Sequence, residues 1–122
     1  MMETALVFDR EGRTIHWHEP PGRSGGSLPD SRDLWGVLWE HRGHLGGVAH
    51  THPWDGPAGP SHTDLTTFRA VELGLGKQLL WPVVTFTDVL YLVWNPVTEN
   101  YVQAAPLTIE ILGLEELRGR SR

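Results

Sequence analysis

Two apolar runs in the second half of the chain, QLLWPVVTF (78–86) and VLYLVWN (89–95), place the strongest constraint on its fold. Both contain several β-branched and aromatic residues, which favour strands, and only a short TD turn separates them. Their apolar character is nearly continuous instead of alternating, which is typical of strands that are buried on both faces. We therefore expect a β-sheet with helices packed on it.

The beginning of the chain predicts a β-hairpin. Residues 4–9 and 13–19 have strand character, and Gly12 occupies the turn position that favours a positive φ. Simple alternation along the second strand places Ile15 and Trp17 on one face of the sheet.

Between and after these strands the sequence predicts helices and further strands. Asp30 or Ser31 is placed to cap a first helix, and Gly43 is placed to end it. The other predicted elements are a strand over 45–52, a helix from 61 to about 73, a short strand over 101–105, and a strand followed by a short helix over 108–117. This order indicates an α/β fold with a mixed sheet flanked by helices.

Composition excludes several classes of protein. The chain of 122 residues has a formal net charge of −5, so it lacks the basic stripe of a nucleic-acid-binding protein. It has no cysteine, which excludes disulfides, thiolate metal sites and a cysteine nucleophile. The arginines at 118, 120 and 122 are predicted to form a solvated tail. No signal-peptide pattern and no apolar run of ~20 residues is present, so we expect a cytoplasmic protein without a membrane partner.

The stretch HTHPWDGPAGPSHTD (50–64) carries the candidate chemistry. On a strand, His50 and His52 point to the same face about 7 Å apart, and Asp64 follows a loop at the start of the next helix. Two imidazoles, one carboxylate and a water form a tetrahedral zinc site with one open position. The same letters have a structural explanation, because Ser61 and Asp64 have the spacing of a helix capping box.

With these residues the chain resembles the JAMM (MPN+) family of zinc metalloproteases, whose motif is a distant Glu, then His-x-His-Pro and Ser-x-x-Asp. The resemblance implies that His50, His52 and Asp64 bind Zn²⁺, that Glu3 is the catalytic base, and that Ser61 donates to the oxyanion. It also implies a mostly antiparallel, twisted, cytidine-deaminase-like sheet. The family domain would cover residues 1–107, with 108–122 as a C-terminal extension or tail of the same domain.

Two features depart from the family pattern. Eight residues separate His52 from Ser61, one more than in the family, and no helix precedes the first strand. Glu19 is an alternative base, because a turn centred on Gly12 would place it opposite Glu3 across the hairpin.

The function implied by the resemblance is zinc-dependent hydrolysis of an amide or isopeptide bond. The substrate would be a protein or peptide, including one with a ubiquitin-like tail. Because the helix before the first strand is missing, the alternative is a metal-binding but non-catalytic MPN-type interaction module.

Overall fold

A computed structural model of the protein describes residues 1–107 and 109–122. Within these residues the chain forms six strands and three helices, in the order β1 (Ala5–Asp9), β2 (Thr14–His18), α1 (Arg32–Glu40), β3 (Leu45–Thr51), α2 (His62–Leu75), β4 (Trp81–Val84), β5 (Val89–Asn95), β6 (Asn100–Gln103) and α3 (Leu114–Arg120). The predicted α/β class is confirmed. None of the helices formed by the described residues is long and apolar enough to cross a membrane.

All six strands of the described chain belong to one sheet in the order β2-β1-β3-β4-β5-β6. β3 and β4 pair in parallel, with His50 opposite Val83, whereas the other four pairings are antiparallel. The sheet is therefore mixed and mostly antiparallel. β1 and β3 occupy its centre with β4, and this places both histidines of the HTHP motif in the middle of the sheet.

The sheet is covered on both faces. On one face α1 and α2 bury Leu38 and Phe68 against Val83, and on the other α3 buries Leu117 against Val84. Successive residues of β4 thus enter opposite cores, as the continuous apolar run predicts. β5 lies nearer the edge of the sheet, and most of its side chains are only partly buried.

The helix ends follow local capping rules. Ser31 caps α1 by accepting a hydrogen bond from the Leu34 amide at 3.0 Å. Gly76 ends α2 in the left-handed region at φ 69°, where glycine carries no steric cost. The prediction that Gly43 ends α1 is wrong, because the helix already stops at Glu40 and His41 is its C-cap.

The first hairpin contains a β-bulge that the sequence analysis did not predict. Gly12 adopts φ 84° in the turn as expected. The pairing then jumps from Phe8↔Thr14 to Val7↔His16. Ile15 is therefore an extra residue on β2, and it packs in the α1/α2 core while Trp17 packs in the α3 core. The predicted common face for these two side chains is wrong because one inserted residue reverses the alternation.

The C-terminal segment also differs from expectation. Thr108 lies outside the described residues, and residues 109–113 form no strand. The helix that follows is α3, in which Leu117 is fully buried, as is Ser121 just beyond it. The Arg118 guanidinium donates to the Thr85 carbonyl at 2.8 Å. The expectation of a solvated tail is therefore wrong, because α3 covers one face of the sheet.

We expect Leu117→Ala to lower the free energy of unfolding by about 2–5 kcal/mol, since it leaves a cavity between α3 and the sheet. Leu112→Ala is the matched control, because Leu112 is 62% exposed and its truncation should change stability by less than about 0.5 kcal/mol. Urea denaturation of both variants measures the difference. Equal, small effects would mean that α3 does not contribute to the core.

Candidate metal centre

The two histidines of the HTHP motif lie at the carboxyl end of β3. His50 is in the strand and His52 follows it directly, and both side chains point toward α2 with 7% exposure each. Their Nε2 atoms are 3.2 Å apart. The His50 ring contacts Phe68 edge-on, and the His52 ring lies against Trp54 with the ring centroids 4.7 Å apart. Aromatic neighbours therefore hold both imidazoles in orientations that converge on one point.

Asp64 reaches the same point from the first turn of α2. Its Oδ2 atom is 3.1 Å from His50 Nε2 and 3.0 Å from His52 Nε2. The capping box is also formed, because the Ser61 amide donates to Asp64 Oδ2 at 2.8 Å and the Asp64 amide donates to Ser61 Oγ at 3.0 Å. The two interpretations of this spacing are compatible: the cap fixes the carboxylate that faces the histidines.

The three converging atoms have the dimensions of a zinc site. Zinc binds histidine nitrogen and carboxylate oxygen at about 2.0–2.1 Å, so its tetrahedral ligand atoms are about 3.3–3.4 Å from one another. The Nε2, Nε2 and Oδ2 atoms here are separated by 3.2, 3.1 and 3.0 Å. Histidine and carboxylate ligands suit zinc, and the set leaves room for a fourth ligand. The residues present therefore fit the metal.

Glu3 lies beside this cluster. Its carboxylate and the two imidazoles offer ligand atoms that all lie within 4.8 Å of one another, and the residue is 6% exposed. The Glu3 amide donates to the Ser24 carbonyl at 2.7 Å, and Arg23 donates to the Glu3 carbonyl at 3.4 Å. The beginning of the chain is thus fixed at this point. Glu3 is close enough to serve as a base or as a ligand in place of Asp64.

The environments of Glu3 and Asp64 shift the pKa values of their carboxyl groups in opposite directions. Burial raises the pKa of the Glu3 carboxyl, and the charges of nearby imidazoles only partly oppose this shift. Burial would also raise the pKa of Asp64, but hydrogen bonds from His50 and His52 outweigh it and hold that pKa well below its ordinary value. One carboxylate is therefore stabilised as an anion, as a ligand must be, while the other has more affinity for a proton.

Glu19, the alternative base, lies elsewhere. Its carboxylate forms ion pairs with Arg120 and, at 3.2 Å, with Arg23. Since Ala5 pairs with His18, continuing the register places Glu19 opposite Thr4 and not opposite Glu3. The bulge in β2 is the cause of this shift, and it moves Glu19 to the face covered by α3. The expectation that Glu3 and Glu19 face each other is therefore wrong.

The longer spacer does not separate the two halves of the motif. Gly56 in the 53–60 loop adopts φ 118°, and its carbonyl accepts a hydrogen bond from Thr85 Oγ1 at 2.7 Å. The Ala58 amide donates to Asp88 Oδ2 at 2.8 Å. These contacts fasten the loop to the β4–β5 turn, and the longer spacer is accommodated while the Asp64 carboxylate still reaches the histidines.

A cavity of about 830 Å³ opens from the cluster between α1, α2 and the sheet. Its polar end contains the cluster itself, and its walls are largely apolar, formed by Leu28, Leu34, Trp35, Val48, Val71 and Trp81. Trp54 lies at the rim and is 47% exposed. That α1 and the preceding loop form a wall of the cavity does not follow from the sequence patterns. The available signal was the apolar face of α1, which is too broad to be buried entirely against the sheet.

His18 is a second site residue that the sequence did not single out. It is 3% exposed, lines the cavity, and has its Nε2 atom 2.7 Å from the Pro29 carbonyl. Burial lowers the pKa of His18, although the Pro29 carbonyl partly opposes the shift. Its ring fastens β2 to the loop before α1, so it supports the wall of the cavity.

Comparison with known proteins adds little. No family model and no curated protein matches this chain. Among solved structures it is similar to a protein from Salinibacter ruber (strain DSM 13855), whose solution structure is 20% identical in sequence and gives a TM-score of 0.44. The match covers 86% of this chain and 76% of the other.

We expect the purified protein, stripped of metal and reloaded, to bind about one zinc per chain with His50, His52 and Asp64 as ligands. His52→Ala should abolish stoichiometric binding because it removes one of three protein ligands. His62→Ala is the matched control, since His62 is exposed at the start of α2. Elemental analysis measures the content, and full zinc occupancy in His52→Ala would contradict the site.

Asp64→Asn and Glu3→Gln separate the two possible carboxylate ligands. If Asp64 is the ligand, Asp64→Asn should weaken zinc binding by roughly 100-fold or more, while Glu3→Gln should change it by less than about tenfold. Competition with a chelating dye measures both affinities. The reverse order would make Glu3 the ligand.

Proposed function

We propose that this protein is a zinc-dependent hydrolase of amide or isopeptide bonds of the JAMM type, with the cytidine-deaminase-like sheet of that family. The observation that carries the proposal is the convergence of His50, His52 and Asp64 to within 3.0–3.2 Å, with Glu3 beside them. Support for the family comes from the position of the motif, since HTHP ends a central strand and SHTD begins the following helix.

Zinc bound by His50, His52 and Asp64 would supply a Lewis acid and an activated water at neutral pH. Glu3 takes the proton from the attacking water and returns it to the leaving amine. Burial raises the pKa of Glu3, which makes its carboxylate a stronger proton acceptor than an exposed glutamate. Burial keeps bulk water from the carboxylate, and the backbone bonds of Glu3 hold it beside the cluster.

Ser61 provides the second protein group. Its Oγ atom accepts a hydrogen bond from the Asp64 amide, and the hydroxyl keeps its own proton for donation. That proton can stabilise the oxyanion that develops when a carbonyl is attacked. The helix cap orients the hydroxyl before substrate binds, so the structural and catalytic roles of Ser61 reinforce each other.

The proposed substrate is a protein or peptide conjugate, including one with a ubiquitin-like tail. The cavity supports this proposal, because its apolar walls adjoin the cluster and suit the side chains that flank a scissile amide. Trp54 at the rim of the cavity offers an exposed aromatic surface that the substrate polypeptide can contact.

A metal-binding but non-catalytic interaction module is the second candidate. The observation that favours it is an exposed tryptophan pair on α1: Trp35 and Trp39 are 41% and 47% exposed, and their rings stack with centroids 6.4 Å apart. Tryptophan is enriched at the centres of protein interfaces. Hydrolysis of an isopeptide-linked ubiquitin-like substrate that stops when zinc is chelated and resumes on zinc addition would exclude this candidate.

We expect Glu3→Gln to bind zinc and to lose turnover by roughly 10²–10⁴-fold, because glutamine keeps the shape and removes the basic oxygen. Glu19→Gln is the matched control and should retain most activity, since the Glu19 carboxylate pairs with Arg23 and Arg120 and does not face the histidines. Steady-state kinetics on the same substrate measure both. Loss in Glu19→Gln with normal activity in Glu3→Gln would transfer the role of base to Glu19.

Two Ser61 variants separate capping from catalysis. Ser61→Ala should cost about 1 kcal/mol of stability, whereas Ser61→Gly should cost only a few tenths because glycine is tolerated at an N-cap. Both should lose turnover by roughly 10²–10³-fold if the hydroxyl donates to the oxyanion. If turnover is normal in Ser61→Gly and reduced in Ser61→Ala, activity depends on stability alone, and only the capping role remains.

A further inference from the structure

A cluster of buried hydroxyl groups lies directly behind the candidate metal centre. Thr4, Thr51 and Ser121 are each 0% exposed. Thr51 stands between His50 and His52, so its side chain points to the opposite face of the sheet. Thr4 likewise follows Glu3. Thr4 and Thr51 therefore lie on the α3 face of the same strand ends that carry Glu3, His50 and His52 on the opposite face. The third hydroxyl comes from Ser121, the C-cap of α3.

The hydrogen bonds within this cluster form one directed series. The Thr4 amide donates to Thr51 Oγ1 at 2.9 Å, the hydroxyls of Thr51 and Ser121 are 2.8 Å apart, and Ser121 Oγ donates to the Leu117 carbonyl at 2.8 Å. Because the Ser121 hydroxyl donates its proton to a carbonyl, Thr51 is the donor in the hydrogen bond between the two hydroxyls. The Thr51 hydroxyl also lies 3.4 Å from the Thr4 carbonyl, but its contact with Ser121 Oγ is shorter at 2.8 Å, and the series ends in the backbone of α3.

The first bond of the series replaces a bond of the β-ladder. The Thr51 amide donates to the Thr4 carbonyl at 3.0 Å, as expected when these residues pair across β1 and β3. The Thr4 amide would complete such a pair by donating to the Thr51 carbonyl, but it donates to the Thr51 side chain instead. A hydroxyl held by α3 thus sets the spacing of the strands where Glu3 faces the histidines.

We propose that Thr51 and Ser121 are positioning residues, through which α3 fixes the end of β3 that carries His50 and His52, together with Glu3 opposite it. The proposal rests on the proposed function for the meaning of that arrangement. Arg23 supports it from the loop side, because its guanidinium donates to Thr4 Oγ1 and to the Glu3 carbonyl. α3 thereby supports the candidate site from the opposite face of the sheet.

Thr51→Val tests the proposal, because valine keeps the shape and removes the hydroxyl. We expect exchange of the Thr4 amide with solvent to accelerate at least about tenfold, and zinc affinity to fall roughly 10–100-fold, as for other groups that orient metal ligands. Thr51→Ser should restore both. Ser121→Ala removes the far end of the series and should give a smaller change in the same direction, which covers the case in which Thr51→Val does not fold.

Tyr101→Phe is the matched control. Tyr101 is buried and its hydroxyl donates to the Glu72 carboxylate on the other face of the sheet, so its loss removes a buried hydroxyl bond far from Thr4. This variant should lower the melting temperature while Thr4 exchange and zinc affinity stay unchanged. If Tyr101→Phe weakens zinc binding as much as Thr51→Val does, general destabilisation explains the effect and the proposal is overturned.

The remaining outcomes are also distinct. Unchanged Thr4 exchange in Thr51→Val, or accelerated exchange with wild-type zinc affinity, would overturn the positioning role. If the wild-type protein binds no zinc, the proposed function fails, and the positioning role is decided by the imidazole resonances of His50 and His52. Resonances that shift in Thr51→Val and return in Thr51→Ser would support it, and resonances that stay in place would overturn it.

Discussion

The candidate site depends on one antiparallel pairing, that of β1 with β3. Because Ala5 is opposite His50, the same register carried two residues further brings Glu3 opposite His52. Side chains directly opposite each other share a face of the sheet. A shift of one residue would move Glu3 to the α3 face and leave the histidines with Asp64 alone. The Thr4–Thr51–Ser121 series lies at the end of this pairing and stabilises the register beside Glu3 and the two histidines.

The cluster brings together four groups whose burial is costly unless they are paired. Two imidazoles and two carboxyls lie close together in a region with little exposure, where an unpaired charge is strongly disfavoured. Asp64 Oδ2 accepts a hydrogen bond from the Ser61 amide and lies 3.1 and 3.0 Å from the two imidazoles, whereas Glu3 has the weaker compensation and the raised pKa. Opposed pKa shifts in neighbouring acids are a feature of catalytic sites, where one group stays ionised and the other transfers protons.

The face of the sheet that α3 covers has a different role from the face that carries the candidate site. A cavity lies beside the cluster on the α1/α2 face, while α3 packs an apolar core around Leu117 on the opposite face. The ion pair between Glu19 and Arg120 joins the end of β2 to α3 on that second face. The α1/α2 face thus carries the candidate site, and α3 stabilises the strands from behind it.

Local sequence patterns determined most of the elements and most of the candidate ligands. Capping residues, apolar periodicity and the HTHP and SHTD motifs predicted both helices on the cavity face, most of the strands, and the convergence of His50, His52 and Asp64. Glu3 was predicted only through the resemblance to the JAMM family. Tertiary structure decided what depends on register and packing. The bulge at Ile15 moved Glu19 away from Glu3, because one extra residue reverses every later side chain. α3 packs on the sheet because Leu117 is buried against apolar side chains of several strands. That apolar surface forms only when strands distant in sequence have paired.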